Sequence, residues 1–286
     1  MTVDPPLPLV GPSMTLRALA ARAEELRRDV TRPVLLVGAR GLGKQFLAQR
    51  IHRGSSLATQ QLLEFDARRA PETTLRTLLD SAPHASTLFV RHVDHLSMPA
   101  QVMLDQRTHG SSAVQRIMAT TTGDIVTRVT AGEFLESLYY RLHAWPMLLP
   151  ALADREHDDL LALAAAVLAQ TGDADDGLPT TLDAPAAAMV AAHTWSDNLR
   201  ELEATLALAQ LRARGAAEIG VAQLSLQAAD VTVPAVEASL DDVERWHLLR
   251  ALALYKGNRT HAARSLGISR MTLISKLKLF NDEDAR

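Results

Sequence analysis

The sequence predicts an α/β domain with a parallel sheet, followed by a small all-helical domain and a C-terminal helix-turn-helix. Three observations predict this order. Apolar runs alternate with helical patterns over residues 31–150, alanine and leucine dominate residues 151–214, and two short helical patterns in a basic segment lie near the C-terminus. Because strands that alternate with helices form a parallel sheet covered by helices, ligands are expected at the carboxyl ends of the strands.

The individual elements follow from the hydrophobic periodicity. The proline-rich residues 1–12 are expected to be extended, and Ser13 is the predicted N-cap of a helix over 14–30. Strands are predicted over 34–37, 62–65, 87–93 and 116–120, and the intervening helices over 46–51, 71–79, 99–104 and 131–142. The helices predicted for the second domain cover 154–170, 183–193 and 198–213, and a weakly patterned connector covers 215–238.

Composition limits the class of protein. The 286 residues are enough for two or three compact units, and 47% of them are apolar. The absence of cysteine excludes disulfides and thiolate metal sites and fits a reducing compartment. The N-terminus does not look like a signal peptide, and the longest uncharged apolar run, 160–169, is about half of a membrane span. We therefore expect a cytoplasmic protein that makes no membrane contact.

A glycine-rich loop follows the first predicted strand. Gly38, Gly41 and Gly43 precede Lys44 and Gln45 in the pattern G-x-x-x-x-G-K, and a predicted helix follows. Backbone N–H groups and the helix N-terminus of such a loop cradle phosphates, and the lysine reaches them. The sequence therefore predicts a phosphate-binding loop.

The C-terminal segment is locally basic although the net charge of the chain is −3. Residues 256–281 contain lysines and arginines but no acid, and Gly267 separates a helical pattern over 260–266 from one over 270–280. The second helix of such a pair enters the major groove of DNA. The predicted DNA contacts are Arg259, Thr260, Ser269, Arg270, Thr272, Ser275, Lys276 and Lys278, and the predicted core is Ala262, Ala263, Leu266, Ile268, Leu273 and Leu277. A solvated basic helix pair is the alternative.

The segment GNRTHAARSLGISRMTLISKLKLF, residues 257–280, resembles the Fis-type helix-turn-helix of bacterial enhancer-binding proteins, the AAA+ activators of sigma-54 RNA polymerase. Further segments resemble the same NtrC-like family in the same order: LVGARGLGK, RAPETTLRTLL, STLFV, EFLESLYYRLHAWPMLLPAL and WSDNLRELEATL. The resemblance implies an N-terminal segment and helix at 1–30, an AAA+ α/β subdomain at 31–150, a helical lid at 151–214, a linker at 215–238 and a Fis-type DNA-binding domain at 239–286. It also implies a homodimer that pairs through residues 240–255.

Two departures from the family concern hydrolysis and the sigma factor. The family ends its Walker B strand with an Asp-Glu pair, which holds Mg²⁺ and polarises water, whereas this chain has Arg91 and His92. Asp94 lies further along and is a poor substitute. The GAFTGA loop that contacts the sigma factor in the family is missing, since only residues 67–85 separate the second and third predicted strands. An alternative is that Arg91 and His92 are strand-end residues without a role.

The smaller sites follow from the same resemblance. Thr122 falls at the sensor-one position, where the family has asparagine, and Leu135 and Arg141 fall at the two arginine-finger positions. Arg200 falls at the sensor-two position, from which it can reach phosphates. The predicted nucleotide contacts are thus Gly38, Gly41, Gly43, Lys44, Gln45 and Arg200, for ATP or ADP without Mg²⁺-dependent hydrolysis. No catalytic residue is predicted, and His92 and His95 lack a third ligand for a metal.

These residues together predict a DNA-binding transcriptional regulator with an inactive ATPase. A co-regulator or inhibitor that associates with an active AAA+ activator or with RNA polymerase is one alternative, and a weak ATPase or nucleotide-sensing regulator is another. Because the AAA+ pattern begins near residue 35, we expect no receiver domain before it.

Overall fold

The computed structural model describes residues 7–83, 86–107, 114–123, 125–171, 177–224, 244, 248, 263, 266–273 and 275–276, without the side chains of residues 107, 114 and 115. The chain divides into two compact units, Met1–Ser225 and Leu226–Arg286. No helix among the described residues is long and apolar enough to cross a membrane.

A parallel sheet forms the centre of the first unit. Within the described residues its strands are β1 (Val34–Val37), β2 (Leu62–Asp66), β3 (Ser86–Arg91), β4 (Val114–Thr121) and β5 (Pro146–Leu148), in the spatial order β2-β3-β4-β1-β5. Every neighbouring pair is parallel. The side chains of Leu88, Phe89 and Val90 in β3 are fully buried, as expected for a parallel strand covered on both faces.

Helices cover this sheet and continue into the lid. In the α/β part they are α1 (Met14–Arg28), α2 (Lys44–Arg53), α3 (Glu72–Asp80), α4 (Met98–Arg107), α5 (Ile125–Thr130) and α6 (Glu136–Leu142). The lid contains α7 (His157–Thr171), α8 (Ala184–Ala192), α9 (Asn198–Arg212) and α10 (Val221–Leu224). Ser13 caps α1, as predicted, because its Oγ accepts a hydrogen bond from the Leu16 amide at 3.3 Å.

One apolar core joins β2, β3 and β4 to the helices that follow them. It includes Leu75 and Leu79 of α3, Leu104 of α4, and Leu138 and Leu142 of α6. These positions recur at helical spacing in the sequence, which is why the helices were predictable. The carboxyl ends of the strands are left as the polar edge of the sheet.

Several predictions about individual elements were wrong. Residues 1–12 are not extended throughout, because Leu7–Leu9 form a buried 3-10 helix. The third strand ends at Arg91, and Val93–His95 form a 3-10 turn. The helix predicted over 131–142 begins only at Glu136, after Gly132 in a left-handed conformation with φ 71°. Strand β5, helix α5 and helix α10, which lies in the predicted connector, were missed.

The described residues of the second unit form the turn of a helix-turn-helix. Gly267 has φ 68°, and the Ser269 Oγ accepts a hydrogen bond from the Thr272 amide at 3.0 Å, so that Ser269 caps the helix that follows. Leu273 is fully buried, Ala263 and Leu248 are nearly so, and Leu266 and Ile268 are half-buried. The glycine turn and the Ser269 cap were both predicted. Residues 262 and 277 of the predicted core lie outside the described residues.

Candidate nucleotide cleft and nucleic-acid interface

The glycine loop after β1 is shaped by close approaches that only glycine permits. Gly41 and Gly43 have φ 79° and 72°. A Cβ on Gly41 would collide with the backbone carbonyl of Asp197 in the lid, and one on Gly43 would lie 2.8 Å from the Pro8 ring. Because a left-handed φ and a short contact coincide at both positions, the loop is held between the N-terminal segment and the lid.

Lys44 begins α2 and is 8% exposed. Its Nζ donates hydrogen bonds to the carbonyls of Gly38 and Ala39 at 2.6 and 2.7 Å. Burial lowers the pKa of the Lys44 ammonium to about 8, although the charge of Asp94 opposes the shift. The lysine predicted to reach phosphates is therefore already positioned beside the loop.

Arg91 lies at the end of β3, opposite Asp66 at the end of β2. Its Nη2 is 3.0 Å from Asp66 Oδ2, and its Nη1 donates a hydrogen bond to Gln45 Oε1 at 2.9 Å. P-loop NTPases hold Mg²⁺ here through the residue after the lysine and a Walker B carboxylate. In this chain a neutral amide and a guanidinium take those positions, and Arg91 contacts the Gln45 and Asp66 oxygens that could bind a metal. The residues do not fit Mg²⁺, which requires near-octahedral oxygen coordination.

His92 follows in a left-handed conformation with φ 55°, and its amide donates a hydrogen bond to Thr120 Oγ1 at 3.2 Å. Burial lowers the pKa of the imidazole, with Arg68 contributing in the same direction. Asp94 is 5% exposed, lies 3.4 Å from the His95 ring nitrogen and is not among the residues lining the cleft. Within the described residues, no group of three acids or histidines is placed to hold a metal.

A cavity of about 700 Å³ lies at this edge of the sheet, and Lys44, Arg91 and His92 are among its lining residues. Among its described lining residues, six carry positive charge and two carry carboxylates: Arg40, Lys44, Arg68, Arg69, Arg91 and Arg200 against Asp66 and Glu203. Asp66 pairs with Arg91 and lies 3.8 Å from Arg69, and burial raises the pKa of Glu203. The excess of cations makes this cavity a site for anions.

Sequence reasoning missed three of those arginines. Arg40 lies inside the glycine loop, while Arg68 and Arg69 directly follow β2. Their position after the strand was a usable signal, because ligands bind at the carboxyl ends of parallel strands.

The lid closes one side of the cleft through hydrogen bonds to the loop. The buried Asn198 side chain donates from Nδ2 to the Arg40 carbonyl and accepts from the Leu152 amide, both at 2.9 Å. The Arg200 amide donates to the Gly41 carbonyl at 3.3 Å, while its side chain is 61% exposed and lies 3.4 Å from Asp197. Arg200 thus lines the cleft, as the resemblance implied for a sensor-two residue.

An apolar pocket of about 400 Å³ adjoins the cationic cavity. Leu7, Gln170, Arg200 and Glu203 line both of them. The remaining lining residues belong to helices α7 and α9 of the lid: Val167, Thr171, Ala204 and Ala207. The N-terminal segment and the lid therefore extend the cleft away from the cations with an apolar wall.

The other predicted positions divide into two groups. Thr122 lines the cavity. Gly38 does not, although its carbonyl accepts from Lys44. Leu135 packs against the core at the start of α6, and Arg141 lies 3.7 Å from Asp105, so that both finger positions are outside this cavity.

The candidate nucleic-acid interface is the helix that begins after Ser269. Arg270, Met271, Thr272 and Ser275 are exposed, whereas Leu273 points into the core. Lys276 is half-buried, with its Nζ 2.8 Å from a Glu244 carboxylate oxygen. The predicted contacts Arg259, Thr260 and Lys278 and the predicted dimer helix over 240–255, apart from Glu244 and Leu248, lie outside the described residues.

A parallel sheet with a glycine loop before α2, a helical lid and a second unit that contains the turn of a helix-turn-helix form the architecture expected of an AAA+ domain joined to a DNA-binding domain. The chain belongs to the sigma-54 interaction domain family, whose model matches residues 10–152, and residues 239–280 match the bacterial regulatory protein, Fis family. The predicted fold class, AAA+ body and Fis-type DNA-binding domain are thereby confirmed.

Relatives among characterised proteins include transcriptional regulatory proteins. The chain is 26% identical to the nitrogen fixation protein VnfA of Azotobacter vinelandii over 96% of its own length and 59% of that protein. It is 28% identical to the regulatory protein FlbD of Caulobacter vibrioides over 87% and 65%, and to ZraR of Escherichia coli over 85% and 62%. The chain thus spans about three fifths of the length of these relatives.

Solved structures show the same fold. NtrX from Brucella abortus in complex with ATP matches 95% of this chain and 69% of its own with a TM-score of 0.65 and 23% identity. The RuvB branch migration motor of Thermotoga maritima matches 92% of this chain and 84% of its own with a TM-score of 0.58 and 19% identity.

Proposed function

We propose that this chain is a transcriptional regulator that binds promoter DNA through its Fis-type domain and whose AAA+ body does not hydrolyse ATP. The relatives support the regulatory role, and the altered cleft supports the loss of hydrolysis. Regulation then depends on what the body binds, since no chemical step drives it.

The DNA-binding half rests on the exposed face of the helix after Ser269. Arg270 and Thr272 lie in its first turn, where recognition helices contact base edges, and the buried Leu273 fixes which face points outward. Lys276 is held by Glu244 and must leave that ion pair to contact a phosphate. Arg270 is therefore the principal contact among the described residues.

The loss of hydrolysis rests on Arg91. A divalent ion about 4 Å from its guanidinium is repelled by roughly 8 kcal/mol at an effective dielectric constant of about 20. His92 takes the position at which the resemblance places the family's water-polarising glutamate, and an imidazole supplies no carboxylate there. Without the metal and an oriented water, phosphoanhydride hydrolysis has no driving group.

Direct remodelling of sigma-54 polymerase is not part of the proposed function. The connection between β2 and β3 contains α3 and short turns, and the sequence motif by which the family contacts the sigma factor is absent from it. This chain thus regulates by occupying DNA or by engaging another protein.

A mobility-shift experiment tests DNA binding, with the promoter upstream of the chain's own gene as probe. Arg270→Ala should weaken binding about tenfold and reduce its salt dependence by about one phosphate contact. Arg53→Ala, an exposed arginine at the end of α2, is the matched control and should bind like the wild type. Equal binding by both variants would contradict the assigned interface, and no binding by the wild type would contradict the function.

A phosphate-release assay tests the proposed loss of ATP hydrolysis. Wild type and Lys44→Ala should release phosphate from ATP at the same background rate in the presence of Mg²⁺. A wild-type rate clearly above that of Lys44→Ala would show a working ATPase and refute an inactive body.

Tyr140 favours a second candidate function, association with an active AAA+ relative. Its side chain on α6 is 66% exposed, and the LYYRL segment it belongs to resembles the family segment that faces a neighbouring subunit. Co-elution with a sigma-54 activator in size-exclusion chromatography should be lost in Tyr140→Ala and kept in Met14→Ala, which removes a similarly exposed side chain of α1. A wild type that never co-elutes would exclude this function.

A further inference from the structure

Arg91 combines two properties that a structural ion pair alone does not explain. It contacts Asp66 and Gln45, yet its Nε is buried without a hydrogen-bond partner among the described residues. Its side chain is 29% exposed and lines the cavity. Asp66 and Gln45 therefore leave part of the hydrogen-bonding capacity of the guanidinium unused, and the exposed part of the side chain lines the cavity.

The cations around Arg91 come from separate elements. Lys44 lies at the N-terminus of α2, Arg68 and Arg69 follow β2, and Arg200 projects from the lid. Arg68 donates toward the His95 ring, and the Arg69 side chain is 84% exposed at the mouth of the cavity. With Arg40 of the glycine loop, six cations converge on one cavity, and this arrangement selects a ligand with several negative charges.

The adjoining pocket adds an apolar component to this ligand. Leu7, Val167, Ala204 and Ala207 form its wall, and Gln170 offers an amide at its edge. An anion that carries, at one end, a group with both apolar and polar parts fits the two cavities together, because ligand sites combine apolar walls with a few polar groups. Nucleoside polyphosphates have this composition.

We propose that the cleft binds a nucleoside di- or triphosphate in its metal-free form, with Arg91 as the counter-cation in place of Mg²⁺. Arg91 and the neighbouring cations neutralise the phosphates, while Lys44 and the loop amides position them. Mg²⁺ then competes with the protein for the ligand. This inference rests on the proposed function, since it takes the body as a site for binding and not for hydrolysis.

Calorimetric titration of the full chain with ATP tests the proposal, in EDTA and in an excess of Mg²⁺. The wild type should bind about tenfold more tightly in EDTA, which corresponds to about 1.4 kcal/mol. Equal or tighter binding in Mg²⁺, or no binding in either condition, would overturn it.

Two variants examine the role assigned to Arg91. Arg91→Ala should lose about tenfold in affinity in EDTA, whereas Arg53→Ala should match the wild type. Unchanged affinity in Arg91→Ala would overturn the assignment. Thermal melting checks that both variants fold. If Arg91→Ala does not fold, the comparison of wild-type affinities in EDTA and in Mg²⁺ still decides the proposal.

Tripolyphosphate and adenosine separate the two parts of the ligand. Tighter binding of ATP than of tripolyphosphate supports a nucleoside in the apolar pocket, and equal affinities would refute that part. The mobility shift with the same protein keeps the outcomes distinct, because a preparation that binds DNA without binding ATP refutes this inference and leaves the DNA-binding function intact.

Discussion

The loop after β1 and the end of β3 lie on the same cavity but have diverged from the family to different degrees. The loop contains Gly41, Gly43 and Lys44, whereas β3 ends at Arg91 and His92 follows it, at positions where the resemblance to the family leads us to expect two acids. A phosphate cradle is made mainly of backbone amides and a helix N-terminus, while a metal site depends on individual side chains. Under the proposed function, nucleotide binding therefore depends on the loop and hydrolysis on the residues at the end of β3, so the two should be separable by mutation.

Lys44→Ala should produce the largest effect on the loop side of this comparison. The ammonium is buried and directed at the loop, and charge-assisted hydrogen bonds of this kind contribute about 1.5–3 kcal/mol. ATP affinity in EDTA should fall roughly tenfold to a hundredfold by the same energies. If calorimetry finds unchanged affinity, the loop is not the phosphate site and the contrast between the two elements disappears.

Arg91→Asp combined with His92→Glu should reverse the preference for metal-free ATP that we assign to the end of β3. The new carboxylates give Mg²⁺ ligands and remove the repelling guanidinium, so ATP should bind about tenfold more tightly with Mg²⁺ than in EDTA. Calorimetry with and without EDTA measures this inversion. A double variant that still prefers metal-free ATP would mean that other residues set the metal response.

Asp66→Asn should act more weakly and in the opposite direction from Lys44→Ala. Removing the carboxylate frees Arg91 from its 3.0 Å ion pair and leaves the cavity more positive. ATP affinity should rise about threefold, since a partly exposed pair contributes less than about 1 kcal/mol. Glu218→Gln, which neutralises an exposed carboxylate outside the cavity lining, is the control. Weaker binding by Asp66→Asn would show that Asp66 positions Arg91 for the ligand.

The pH dependence of stability examines Lys44 in the absence of any ligand. Burial lowers the folded-state pKa of Lys44 to about 8, below its ordinary value of 10.5. Between those values the unfolded chain binds more protons, so the free energy of unfolding should rise with pH, by an amount on the order of 1 kcal/mol. Denaturant unfolding of the wild type and Lys44→Met at pH 7 and pH 10 isolates the difference. Parallel pH profiles would contradict a lowered pKa.

Strands β1 to β4 and most helices were predictable because the spacing of apolar residues along the chain indicates which side chains are buried. Strand β5 was not, since it has three residues, starts with Pro146 and lies at the sheet edge, where a proline is tolerated. Leu7–Leu9 are buried by distant partners, as the hydrogen bond from Arg155 to the Pro8 carbonyl shows. Tertiary contacts override local pattern in both segments.

The sequence predicted the position of the cleft from the glycine loop, but it did not predict the excess of positive charge in the cavity. The pattern around Lys44 marks the loop, but the partners of Arg91 lie in two other elements of the fold. Their convergence depends on β2 lying beside β3, which a single sequence does not specify. The sequence placed Arg68 and Arg69 after β2, at the carboxyl edge of the sheet, but the cavity that they share with Arg91 follows only from β2 lying beside β3.

Asn198 has a mechanical consequence. Its side chain ties the phosphate loop to the start of the lid and to Leu152, and its own backbone is left-handed with φ 54°. We therefore expect the first turn of α9 to move together with the loop. A ligand that rigidifies the loop should slow amide hydrogen exchange throughout α9, including its last turn, which lies beyond the α9 residues that line the two pockets.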